Sequence, residues 1–174
     1  MVRSHSGDGF DEVEGHEQVD SYVLFLLGAE YYALEVSRVR EVLDVAAFTR
    51  VPGGTKALIG LYNLRGQVIP VWNLRVLFRL GEEAITERAP SILMVEPDPA
   101  QPSRLAGLMV DAVSDVMDFP AQEVQPPPSL GMGVGADYVR GLVRHQDRFV
   151  LVLDLDRIFA ALTETGAPDA PRLP

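Results

Sequence analysis

The sequence predicts a mainly β protein made of two similar units, each of about five short strands. Three observations lead there. Among 174 residues, 13 prolines and 15 glycines cut the chain into many short segments and leave little room for long helices. Apolar runs of strand length recur between turn signals, as in Tyr22–Leu27 and Ser91–Val95. The third observation is an internal repeat. Ala33–Val42 matches Gly107–Val116 at an offset of 74, with Val36, Val39, Glu41 and Val42 set against Val110, Val113, Asp115 and Val116. Gly60–Phe78 matches Gly141–Phe159 at an offset of 81, aligning Gly60, Leu61, Val71, Leu74 and Phe78 with Gly141, Leu142, Val152, Leu155 and Phe159. Small β units of this kind close as barrels, because closure removes exposed sheet edges.

The elements follow in order. Residues 1–20 are polar, acidic and aperiodic and read as a disordered leader whose deletion should leave folding intact. Tyr22–Leu27 and Tyr31–Val36 form a hairpin across Gly28-Ala29-Glu30. Ser37 then caps a short helical turn carrying Val39, Val42 and Leu43. Phe48–Gly54 reads as a short strand and turn. Ala57–Leu64 and Gln67–Trp72 are strands joined at Arg65-Gly66. Asn73–Leu80 is a short amphipathic helix with Leu74, Leu77 and Phe78 on one face. After a charged loop over Gly81–Pro90 come strands at Ser91–Val95, Arg104–Val110 and Ala112–Phe119. Pro120–Asp137 is a long loop. Tyr138–Val143 and Phe149–Leu153 form a last hairpin, and Asp154–Leu162 a last helix, capped by Asp154 or Asp156. The remaining 164–174 segment is a frayed Pro- and Ala-rich tail.

Composition excludes several functions. The 25 acidic residues outnumber the 15 basic ones, for a net charge of −10, so a phosphate-binding surface for nucleic acid is not expected. That charge is uneven: six acids and Arg3 put −5 in residues 1–20, and the other 154 residues carry the remaining −5. With no cysteine and three histidines, disulfides, thiolate chemistry and an imidazole-rich metal site are unexpected. No apolar run has the length of a membrane span, and the N-terminus does not read as a secretory signal, so no membrane insertion and a cytoplasmic location are expected.

Candidate chemistry is sparse. Arg65 stands beside Gly66 at a hairpin tip, and taken alone reads as a turn with a solvated charge. Glu41 reads as the end of a short helix near the rim of the first unit. Asp111 and Asp115, four residues apart, could share a helical face, but no His or further acid joins them for acid–base or cation chemistry. Gly131, Gly133 and Gly135 lack the Lys-Ser/Thr of a phosphate loop. His145, the single histidine of the body, has no nucleophile motif to serve. The chain does not read as an enzyme, and no cofactor is called for.

Taken together, FLLGAEYYALEVSRVREVL, the Val51-Pro52 turn, IGLYNLRGQVIPVWNLRVLF, GLMVDAVSDV, YVRGLV and VLVLDLDRIF resemble the CheW-like domain of bacterial chemotaxis coupling proteins, over residues 21–163. The resemblance implies two packed five-stranded SH3-like β-barrel lobes with short helices. It implies a non-enzymatic adaptor that docks on the regulatory domain of a chemotaxis histidine kinase. The same adaptor grips the cytoplasmic tip of a chemoreceptor in the groove between the lobes, at membrane-associated receptor arrays. Arg65 matches the family's NLRG arginine, and Glu41 the acid that can pair with it. Val39, Val113 and Val116 match apolar positions of the receptor groove, which suits a helical tip needing an apolar slot with a few edge charges. Kinase-facing residues have no short motif to transfer. Asn73 departs from the acid usual before Leu-Arg, which leaves an ion pair there unassigned. An adaptor of a pathway controlling pili, surface sensing or gene expression fits the same residues. A small-molecule-binding or hydrolytic barrel is the reading from another class, and it would need convergent polar groups in a pocket.

Overall fold

Alternating apolar faces build this molecule as two five-stranded sheets packed through a shared cluster. The computed structural model describes residues 17–44, 49, 52, 55–80, 89–128 and 134–164. The strands are β1 (Val19–Leu27), β2 (Glu30–Glu35), β3 (Val39–Asp44), β4 (Leu58–Leu64), β5 (Gln67–Asn73), β6 (Ser91–Val95), β7 (Ala106–Val110), β8 (Ala112–Pro120), β9 (Val139–His145) and β10 (Arg148–Leu153). Helix α1 (Leu74–Leu77) follows β5, and α2 (Leu155–Glu164) follows β10. The first sheet runs β8-β1-β2-β10-β9 and the second β3-β6-β7-β5-β4.

The lobes are not the two copies of the repeat. The second sheet is continuous in sequence, whereas the first is assembled from both ends of the folded body. Each repeat copy starts in one sheet and finishes in the other. One runs from β2 in the first sheet to β3, β4, β5 and α1 of the second; its match runs from β7 in the second sheet to β8, β9, β10 and α2 of the first. Matched strands hold matched places, with β3 and β8, and β4 and β9, at the sheet edges. The parallel pairs β5–β7 and β2–β10 knit the nested order together.

Strands β1 and β6, each next to an edge strand, bury two faces. Tyr22 and Leu24 turn into the first sheet's own cluster with Val143, Val150 and Val152. The alternate residues Val23, Phe25 and Leu27 turn to the shared cluster between the sheets. On β6, Ile92 and Met94 join Ile69 and Val71 inside the second sheet, while Leu93 and Val95 face the shared cluster. Burial on both faces is why YVLFLL and SILMV are apolar without alternation.

Several expectations are corrected. The sheets are not closed barrels. Past β3 and past β8 the chain reaches the far edge, among the described residues, for one residue pair each, Thr49 with Leu61 on β4 and Gln125 with Leu142 on β9. One pair does not propagate a ladder. The bridge is close enough that a Cβ on Gly141 would lie 2.5 Å from Val124 Cγ1 and 2.9 Å from the Gln125 carbonyl oxygen. Val39–Asp44 is a strand, not a helical turn; the only helical piece there is a 3-10 turn over Val36–Arg38, within which Ser37 does not cap. Pairing with β6 and the β-branched valines outweigh the capping signal. The first strand starts at Val19, so Val19 and Asp20, paired with Pro120 and Phe119, belong to the sheet and not to the leader. Helix α1 is shorter than Asn73–Leu80, and the long loop contains 3-10 turns at Ala121–Glu123 and Val134–Tyr138. Most of the leader, the FTRVPGG stretch apart from Thr49 and Pro52, residues 81–88 of the charged loop, Gly131, Gly133 and residues 165–174 of the tail lie outside the described residues, while Glu164 ends α2.

Candidate functional site

The hairpin β4–β5 sets the position of Arg65. Leu64 pairs with Gln67, leaving Arg65-Gly66 as a two-residue loop. Both loop residues have positive φ, +49° and +87°, as a type I′ turn requires. The Asn63 side-chain oxygen accepts a hydrogen bond from the Gly66 backbone N–H at 2.8 Å and holds the turn. An arginine with left-handed backbone is held at a tip that exposes 75% of its side chain.

The partner of Arg65 is set by an irregularity in β3. The β3–β6 register slips between Val39 and Glu41, so Arg40 is the extra residue of a bulge. Beyond it Glu41 lies opposite Met94, on the face of the second sheet's own cluster. Arg65 donates from both terminal nitrogens to the two Glu41 carboxylate oxygens, at 3.1 and 3.2 Å. This fork is the geometry that makes arginine–carboxylate pairs directional. Glu41 remains 31% exposed, so the pair is wet and worth little to stability.

The valines divide by face. Val39 and Val113 occupy matched places in the repeat, and both are half-buried against the shared inter-sheet cluster. Val116 pairs with Val23 and so lies on the inter-sheet face of edge strand β8, 58% exposed. Val42 on β3, which sequence reasoning did not single out for the groove, is its match: it pairs with Leu93 of β6 and is 43% exposed. The repeat itself carried that signal, since Val42 aligns with Val116. The structure therefore brings Glu41 and Arg65 together on one face of β3 and places apolar residues on the inter-sheet face of both edge strands.

Asp111 and Asp115 share no helix. Asp111 lies between β7 and β8, almost fully buried, and its Oδ2 accepts from Arg75 at 2.6 Å and from the Gly28 N–H at 2.7 Å. Arg75, on α1, also donates to the Leu80 carbonyl oxygen. Its position follows from Asn73, whose side-chain oxygen accepts from the Arg75 N–H as the helix cap. Asp154 caps α2 at the matched place, accepting from the Arg157 N–H. On β9, Arg140 pairs with Glu35 and donates to the Tyr22 hydroxyl at 3.2 Å. Burial works to lower its basicity, but the Glu35 hydrogen bond and charge outweigh that and raise it. Among the described residues no three His, Asp or Glu side chains gather as metal ligands. No described helix is long and apolar enough to cross a membrane.

The sequence pattern of the CheW-like domain matches residues 21–163, from the third residue of β1 to the last turn of α2. The chain belongs to the CheW-like family. Among CheW-like proteins, the chemotaxis protein CheW of Treponema pallidum is 30% identical over 142 residues, 80% of this chain and 81% of that protein. Protein FrzA of Myxococcus xanthus is 28% identical over 71% of this chain and 73% of its own length. The crystal structure of the scaffolding protein TtCheW from Thermoanaerobacter tengcongensis superimposes with a TM-score of 0.69 at 28% identity, covering 79% of this chain and 90% of that one. The CheW-like fold is thus shared at the level of sequence and of architecture.

Proposed function

We propose that this chain is a chemosensory adaptor that couples chemoreceptors to a chemotaxis histidine kinase. The receptor's cytoplasmic tip is held at the inter-lobe groove by Val39, Val113 and Val116, with Arg65 and Glu41 fixing its register, and the kinase is held through its regulatory domain. The protein works without catalysis, in the cytoplasm at membrane-associated arrays. The observation that carries this reading is the exposed Glu41–Arg65 fork, at the family's NLRG turn beside an edge strand bearing an exposed valine. A helical tip needs an apolar slot with directional charge at its margin, and these residues supply both. Family membership and the likeness to chemotaxis CheW proteins support the same role.

The test is receptor-dependent kinase activation, reconstituted from the chain, a receptor signalling fragment and the kinase. Arg65→Ala and Val116→Asp should each lower activation several-fold while circular dichroism stays unchanged. Both sites are exposed, so folding is not at stake. Activation unchanged by both variants would overturn the groove assignment, and no detectable binding to the kinase regulatory domain would overturn the adaptor role.

A further inference from the structure

The repeat places a second, incomplete copy of the Glu41–Arg65 site in the first sheet. Asp115 matches Glu41 and follows a bulge at Ser114, as Glu41 follows one at Arg40. Gln146 matches Arg65 at the tip of the β9–β10 hairpin, and its backbone has the same left-handed conformation, with φ +46° against +49°. The difference is chemical. Gln146 brings no charge, and among the described residues Asp115 forms no ion pair; its Oδ1 accepts the Val116 N–H at 2.8 Å. Where the second sheet has a guanidinium on a carboxylate, the first has a cavity of about 370 Å³, lined by Leu24, Tyr31, Ser114, Asp115, Gln146 and Arg148 among others. Arg148 lines the same cavity, with its guanidinium carbon over the Tyr31 ring, 5.6 Å from the centroid.

We infer that this cavity receives an arginine side chain from a docking protein, which completes on Asp115 the fork that Arg65 makes within the chain on Glu41. Asp115 supplies an acceptor carboxylate, and the chain's own precedent is an arginine carried to an edge strand by a hairpin tip. Edge strand β8 is open on that side, so a partner's tip has access. Asp115 pairs with Leu24 on one face of β8, whereas Val116 pairs with Val23 on the other. The cavity is therefore separate from the valine rim and does not rest on the receptor reading.

Backbone amide shifts of the full chain, titrated with N-acetyl-arginine amide, test this against its neutral isostere N-acetyl-citrulline amide. Arginine amide should shift Ser114, Asp115 and Gln146 with a dissociation constant of about 1 mM, the weak affinity of a side chain that is tethered in the real complex. Citrulline amide should not shift them. Asp115→Asn, nearly isosteric, should weaken binding at least about tenfold, the loss of one charge-assisted contact. Gln146→Arg should abolish it by supplying the guanidinium from within, with no loss of thermal stability. Asp118→Asn should leave it unchanged. Equal binding of citrulline amide, shifts centred elsewhere, or binding indifferent to Asp115→Asn and Gln146→Arg would each overturn the site. Affinity tighter than about 10 μM for the free probe would mark a small-molecule pocket and overturn the docking assignment.

Discussion

The two places where the chain crosses between sheets, from β2 to β3 and from β7 to β8, are matched by the repeat yet held in opposite ways. At β7–β8 an acid in the connection, Asp111, meets an arginine on α1, Arg75, with side chains only 2% and 3% exposed. At β2–β3 the charges are reversed: Arg38 in the connection meets Asp156 on α2 at 2.9 Å, with Asp156 72% exposed. Arg38 also donates to the Glu96 and Pro97 carbonyl oxygens, so its head group is satisfied largely by backbone. One geometry thus carries one ion pair sealed in the core and one open to water. Low dielectric and the cost of an orphaned charge make the first indispensable, and solvent makes the second dispensable.

The largest effect expected from breaking this comparison is at the sealed junction. Arg75→Ala or Asp111→Ala leaves an uncompensated buried charge, and should cost about 3–5 kcal/mol in urea unfolding. Removing Asp111 also strips the Gly28 N–H of its acceptor. Next comes the bridge at the open side of the first sheet. Gly141→Ala forces its Cβ into Val124 and the Gln125 carbonyl group, and should cost about 1–3 kcal/mol on the same measurement. At the open junction, Asp156→Ala should cost no more than about 1 kcal/mol, diminishing further with added salt. A loss at Asp156 as large as that at Asp111 would remove the distinction between the junctions. The smallest effect on stability is expected for Arg65→Ala, within about 1 kcal/mol in thermal melts, although it is expected to lower coupling several-fold.

Much of this arrangement was legible in the residues because the core repeats itself. The matched valines, leucines and glycines identified two strand sets before any contact was known, and continuous apolar runs marked β1 and β6. Val39–Leu43 reads as a helical turn because spacing cannot distinguish a short helical face from an edge strand; the ladder with β6 decides it. Asp111 was passed over because nothing local distinguishes a solvated acid from one sealed against Arg75, 36 residues away in sequence. For the candidate site, Arg65 beside Gly66 between two strand-length apolar runs is legible as a hairpin tip, whereas the left-handed backbone at Arg65 is not. Its fork with Glu41 depends on a bulge at Arg40 that no local pattern announces.

The sequence by itself determined the two repeated sets of short strands, the strand-rich architecture, the family and the hairpin tip bearing Arg65, because periodicity, turn residues and repetition are written locally. Tertiary structure alone decided that each repeat copy crosses from one sheet to the other, that the sheets stay open with a single bridge, and which charges meet. Those outcomes depend on pairing and burial between segments distant in the chain. There the dielectric around a charge, and not its identity, fixes whether it holds the fold together or stays free for a partner.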